Sequence, residues 1–400
     1  MSWMIPNFYS TYCHPYSVSS IYLRNILKPI MRFTIFVVAL PALVGIANGL
    51  HSFKRPQYPL STVENDGTNV GRYDVRKTMA IVNPDPKWIN SYYFLLWLTT
   101  LDGRKYHICV DPILFGNTTT GAFYSLNDLN DPSEFKSTGA SYMGPGYGSS
   151  EALNFRSVPH NVTSPRGSDN FSTIALDTDF AGVKVNTIIH PTGKNMYYGG
   201  MGGIVTPGFG DDYTTIPPGW SWYWANPHLQ VTGTITLDGK PVFIDTTQSF
   251  GLLERQYGPF DVNTKGFYLF WAYLPNGVVV QVWVISPRAD GTGPSGMATI
   301  WHPNGLHEVS PVDMTSTRAW DVSVSKTTKR EYFNKFNVAL VARNARFSFE
   351  KPIRDAEIRP APGQSGLVVS ESYCEGTVKW DNEVLPWCGH CEELSTRKQA

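Results

Sequence analysis

Ser249-Phe250-Gly251-Leu252-Leu253-Glu254-Arg255-Gln256-Tyr257-Gly258-Pro259-Phe260 is the stretch whose reading decides the fold. An acid, a guanidinium, an amide and a phenol follow one another directly. Apolar runs flank them: Val242 to Ile244 before, then Gly266 to Leu274 and Gly277 to Ile285. These runs are rich in aromatic and β-branched residues, and Asn276-Gly277 between the last two marks a hairpin, so the region reads as strands. Side chains alternate along a strand, so Glu254 and Arg255 point to opposite faces. One of them is buried, where an unpaired charge is costly.

Working outward, the same pattern recurs. Tyr92 to Leu98 and Tyr106 to Val110 flank Asp102-Gly103. Short strands follow at Gly121 to Leu126, Thr173 to Leu176 and Val183 to His190. The glycine-rich segment Gly193 to Gly219 reads as a pocket-mouth loop or an interdomain crossover. Trp220-Ser221-Trp222-Tyr223-Trp224 then leads into Val231 to Leu237, the turn Asp238-Gly239 and Pro241 to Asp245, echoing the first hairpin. Met297 to Trp301, Ala319 to Ser325, Val338 to Ala342 and Phe347 to Glu350 add further strands. One or two helical turns are expected at Arg330 to Phe336. The fold class is therefore all-β, with two barrel or sandwich domains: residues 50–228, and residues 229–400 with a cysteine-bearing tail.

Composition agrees. Four hundred residues allow two cores, and 35 Gly, 29 Pro and 14% aromatics suit tight turns between aromatic strands. The 33 basic and 33 acidic residues balance without a basic stripe, which argues against a nucleic-acid partner.

Residues 1–49 read as an upstream extension followed by a secretory signal peptide. Met31-Arg32 precedes the apolar run Phe33 to Ile46, which is short for a membrane span and ends in the small residues Gly45, Ala47 and Gly49. The alternative is a signal anchor. Cleavage implies a secretory-pathway protein with no stable membrane insertion. Sequons at Asn117, Asn161 and Asn170 are the expected glycosylation sites. Cleavage would remove Cys13 and leave Cys109, Cys374, Cys388 and Cys391. The expected disulfide ties Cys374 to Cys388 or Cys391. Trp387-Cys388-Gly389-His390-Cys391 spells a thiol-redox motif, but only nine residues follow it, too few for a thioredoxin-like domain.

No HExxH, paired Cys/His spacing, G-x-S-x-G elbow or P-loop is present, so no metal site or nucleophile elbow is expected. His302 and His307 flank Asn304-Gly305 and read as a solvated turn. What remains is acid–base chemistry in a cavity. A desolvated Glu254 would have a raised pKa and could donate or accept a proton. Arg255 or Gln256 could polarise a substrate oxygen. Tyr257, with Tyr92, Trp97, Trp222, Trp224, Tyr268 and Trp271, could wall an apolar pocket. The competing reading makes Glu254 and Arg255 a structural ion pair and the aromatics core.

The run Gly251 to Gly258 resembles the domain-junction signature of fungal lipocalin-like Diels–Alderases, kievitone hydratase and AttH/CrtC-like proteins. Many members carry Tyr-His where this chain has Leu252-Leu253, so no role is carried over to those two. The resemblance implies two lipocalin-like β domains with a pocket between them or in the barrel mouths. It also implies cofactor-independent cyclisation, or hydration and dehydration, of a small hydrophobic natural product. In its secreted character the chain is closest to kievitone hydratases and the hetero-Diels–Alderases of tropolone–sesquiterpene pathways. The leading expectation is acid–base dehydration to a quinone methide followed by cycloaddition, with Glu254 as acid/base and Arg255, Gln256 and Tyr257 beside it. A hydratase is the rival, a non-catalytic carrier of hydrophobic ligands the third reading, and a homodimer is compatible with each.

Overall fold

The computed structural model describes residues 69–70, 73–82, 88–115, 119–143, 147–157, 160–165, 169–200, 202–205, 220–258, 266–286, 294–354, 356–360 and 367–398. The signal segment, Cys13 and Asn117 lie outside these residues.

The chain forms two large antiparallel sheets, and the two-domain all-β expectation holds. The first runs from Phe135–Met143 through Thr119–Asp128, Lys105–Phe115 and Ile89–Thr99 to Phe250–Gly258, then through Trp220–Leu237 to the strands of residues 147–191. Phe250–Gly258 is therefore interior, paired to Ile89–Thr99 on one side and Trp220–Leu237 on the other. The Trp220 strand carries a register shift between Asn226 and Leu229, where Pro227 has no N–H for the ladder. At Asp238-Gly239 both residues have positive φ, 49° and 81°, as a tight hairpin turn of the right twist requires.

The second sheet begins at Gly266–Tyr273, which pairs with Val279–Ile285 and with the C-terminal strand Glu383–Ser395. Val369–Trp380 continues it toward Arg346–Glu350, Glu331–Ala339 and Arg318–Val324. Two expectations are corrected here. The Trp220 strand belongs whole to the first sheet, so the chain changes sheets between Gly258 and Gly266, not at 228/229. Residues 331–339 are a strand, because Tyr332, Asn334, Phe336 and Val338 alternate inward at period two.

Apolar side chains collect in three places. One core fills the first sheet (Tyr92, Phe94, Trp224, Leu253), and another fills the second (Phe270, Phe336, Phe347, Trp387). The third is a seam between the sheets, made by Tyr93, Trp97, Tyr223 and Leu252 from one and Trp271, Trp283, Met297 and Trp301 from the other.

Candidate functional site in the inter-sheet seam

Strand alternation sends Glu254 into the seam and Arg255 into the core of the first sheet. Glu254 is 6% exposed. Tyr198 Oη donates to its Oε2 at 2.8 Å, and Tyr198 stacks on Tyr223 with ring centroids 3.6 Å apart. Trp271, from the second sheet, meets Tyr198 edge-on at 5.7 Å. Within the second sheet, Gly389 lets the last strand lie close against the strand of Trp271, since a Cβ there would lie 1.7 Å from the Trp271 carbonyl oxygen. Burial raises the Glu254 pKa from 4.5 to about 8, outweighing the phenols that stabilise its anion. The carboxyl is thus protonated at neutral pH.

Other ionisable groups face the same seam. Asp111 is raised to about 7 by burial, with Ser91 Oγ donating to it at 2.7 Å. From the second sheet come Glu371, His390 and Glu392. Tyr93 Oη donates to Glu371 Oε2 at 2.7 Å, and His390 Nε2 lies 2.7 Å from both of those oxygens. His390 Nδ1 reaches His107 Nε2 at 3.3 Å. Burial pushes Glu371 well up and His390 well down, so the proton rests on the carboxyl and the pair is a neutral hydrogen bond, not an ion pair. His107 falls to about 3 for the same reason. Glu392 is raised by burial and then by repulsion from Glu254 and Asp111, although the residue keeps partial exposure. The seam gathers four carboxyls whose burial, more than their proximity to one another, favours the protonated form. Among the described residues no three His, Cys, Asp or Glu side chains converge closely enough to hold a metal ion.

No protein-family model matches the chain, and no curated protein matches it in sequence. Solved structures do. Kievitone hydratase from Nectria haematococca superposes with a TM-score of 0.66 at 17% identity, over 76% of this chain and 89% of that one. A putative AttH from Nitrosomonas europaea gives 0.64 at 17%, over 84% and 99%. CghA with Sch210972 gives 0.50 at 13%, over 79% and 90%. These likenesses establish the fold. It is the lipocalin-like one that the Gly251–Gly258 run led us to expect.

Of the predicted site residues, Glu254, Gln256, Trp97 and Trp271 belong to the seam side. Gln256 Nε2 donates to Ser221 Oγ at 2.7 Å. Trp97 packs flat on Phe250 at 4.9 Å and edge-on to Tyr273 at 5.1 Å.

Arg255 is the main correction. It is fully buried on the other face, and its guanidinium donates to the carbonyls of Thr78, Ala80, Ser91 and Gln256 and to Asn90 Oδ1. Every donor direction is used within the fold, and it is not paired with Glu254. Tyr92 and Tyr257 sandwich it, 4.2 and 4.9 Å from its centre. Both aromatics therefore serve Arg255, not a substrate. Tyr92 Oη donates to the Met79 carbonyl and Trp224 Nε1 to Thr78 Oγ1, and Trp222 packs on the same core. Tyr268 faces the interior of the second sheet.

The tail departs from expectation as well. Cys109, Cys374 and Cys391 are buried free thiols, and Cys388 alone of the described cysteines is disulfide-bonded. Cys374 lies opposite Gly389 on paired strands, so Cys388 faces the seam while Cys374 faces the core. Cys391 shares the face of Cys374 but sits diagonally, beyond the Cβ separation that a disulfide bridges. The redox-like motif is a strand, on which residues three apart point to opposite faces. His302 pairs with Glu308 at 2.9 Å, as a turn histidine can, but His307 is buried and accepts from the Tyr197 amide at 2.8 Å. Among the sequons, Asn161 is exposed. Asn170 is 4% exposed; its Oδ1 accepts from the Leu153 amide and its Nδ2 donates to the Arg76 carbonyl, leaving no room for a glycan.

Tyr93, Asp111, Tyr198, Tyr223, Glu371, His390 and Glu392 were not singled out in sequence. His390 is inside the redox-like motif, and Glu392 follows it at the period-two spacing of one strand face. That was the available signal. Tyr198 comes from the glycine-rich segment, which returns to pair at Met196–Tyr197 and Gly203–Val205 with the Trp220 strand.

Proposed function

We propose that the chain is a lyase-type enzyme acting on a small apolar polyketide or terpenoid held in the seam. It removes water, and the reactive diene so formed closes by hetero-Diels–Alder cycloaddition. The observation that carries this reading is the protonated Glu254 carboxyl, buried among aromatic side chains and held by Tyr198. In a hydroxymethyl-phenol, Glu254 gives its proton to the departing hydroxyl as the C–O bond breaks. The carboxylate so left on Glu254 then takes up the phenolic proton, because the Glu371 and Glu392 carboxyls favour their protonated forms and the His390 imidazole its neutral one. Water and a quinone methide result, and Glu254 is again protonated. Trp97, Phe250 and Trp283 supply dry, rigid walls on which a diene and an alkene are held in reacting geometry. The fold shared with kievitone hydratase and with CghA supports chemistry of this kind. The reverse reaction, hydration, would use the same groups. Passage through the secretory pathway belongs to this proposal.

The test is mass-resolved chromatography of metabolites from a producing host, with the native protein, with Glu254→Gln, and without either. An adduct of two inputs less water, lost in Glu254→Gln by about 100-fold or more, is the expected result. Net gain of water would instead select the hydratase. Unchanged metabolites with a ligand retained on the purified protein would replace the enzyme by a carrier.

A further inference from the structure

Buried polar groups normally find partners, and those that do not call for a physical explanation. Among the described residues, several orphaned polar atoms belong to the seam: Tyr223 Oη, Trp271 Nε1, Trp283 Nε1 and both amide atoms of Gln281. Tyr223, Trp271 and Gln281 are each 0% exposed. Trp271 and Gln281 are directly paired across neighbouring strands, with side chains on the seam face. Tyr223 comes from the opposite sheet, stacked on Tyr198 and edge-on to Trp283 at 6.4 Å. Tyr223 and Trp271 both stand close enough to the Glu254 carboxyl to favour its anion, though outside strict hydrogen-bond geometry. Two of the orphan-bearing residues, Tyr223 and Trp271, therefore flank Glu254, and Gln281 adjoins them across the strand from Trp271.

We infer that the ligand of this site presents a hydroxyl beside a carbonyl or phenolic oxygen, the acceptor oxygen seating on Tyr223 Oη and Trp271 Nε1 and the donor–acceptor pair meeting the Gln281 carboxamide. An indole N–H only donates, which requires an acceptor opposite it. A carboxamide with both ends free matches a group that donates and accepts side by side. A purely hydrocarbon ligand would leave all of these atoms unpaired, at a penalty for each. This rests on the proposed function only for the location of the site. It adds the polarity pattern that the substrate must carry, and it assigns Trp271, Tyr223 and Gln281 as specificity-determining residues.

The test is calorimetric titration with two probes of similar shape, 2-hydroxyacetophenone and 2-ethyltoluene, on the native protein and on Gln281→Leu, Trp271→Phe and Tyr223→Phe. The native protein is expected to bind the oxygenated probe about tenfold or more tighter, because a site built to pair oxygens rejects the analogue lacking them. Each substitution should erase most of that preference while leaving hydrocarbon binding intact. Gln281→Leu should also raise the Tm by about 2–4 °C, since it removes two unpaired buried atoms. No oxygen preference in the native protein, or a Gln281→Leu variant that is less stable and keeps the preference, would overturn the assignment. Glu254→Gln separates the two ideas: loss of turnover there tests the acid–base step, whereas the probe preference persists.

Discussion

Glu254 and Arg255 are consecutive residues whose side chains end in different cores: the carboxyl in the seam between the sheets, the guanidinium beneath the first sheet. They are not an ion pair. One is a buried acid held by the Tyr198 hydroxyl, and the other is a cross-link with every donor engaged inside the fold.

The Glu254 carboxyl makes stability depend on pH. Its folded pKa, about 8, lies above the ordinary 4.5, so the folded state holds the proton more tightly than the unfolded one. The stabilisation is complete below pH 4.5 and is lost as pH rises through 8, with an upper bound on the order of 5 kcal/mol. Asp111, raised to about 7, acts in the same direction. Urea midpoints should fall from pH 7 to pH 8.5, above the range in which buried imidazoles such as His107 and His390, held below their ordinary value, make stability rise with pH, and Glu254→Gln should flatten part of that decline. A midpoint that rises over this range would refute the buried-acid assignment.

Arg255→Ala should destabilise the protein by about 3–5 kcal/mol, because it orphans four buried carbonyls and empties the space between Tyr92 and Tyr257. Arg255→Lys should recover only part, since a point ammonium cannot span that fork of acceptors. Denaturation curves measure the loss. Turnover per folded molecule should stay near native; a large drop in it would return Arg255 to the catalytic machinery.

Cys109, Cys374 and Cys391 should resist a thiol reagent in the native state and react together after unfolding. All three are buried, and burial holds each thiol above its ordinary pKa. Peptide mapping without reduction should find Cys374 linked to neither Cys388 nor Cys391. A Cys374–Cys388 peptide would mean that the register of the last two strands is wrong.

Asn161→Gln should remove one glycan's mass from protein made in a secreting host, whereas Asn170→Gln should leave the mass unchanged. Asn170→Gln should instead destabilise by about 1–3 kcal/mol, because its carboxamide joins the Leu153 amide to the Arg76 carbonyl. A glycan found on Asn170 would be incompatible with this packing.

The sequence by itself determined the class of fold, the hairpins at Asp102-Gly103, Asp238-Gly239, Asn276-Gly277 and Asn304-Gly305, and the separation of Glu254 from Arg255. All of these are local: turn chemistry and period-two alternation act over a few residues, and each can be read in a short window. Alternation could not say which face was which. That depends on what the second sheet covers, and so Arg255, Tyr92, Tyr257 and Trp224 went to a core while Trp97 and Trp271 went to the seam. Nor could any local rule bring Tyr198, Glu254, Glu371 and His390 together, since they stand on four segments as much as 192 positions apart (390 − 198). Only the packing of one sheet against the other withdraws water from all of them at once. That shared desolvation raises the carboxyls, lowers the imidazoles and marks the seam as the candidate site.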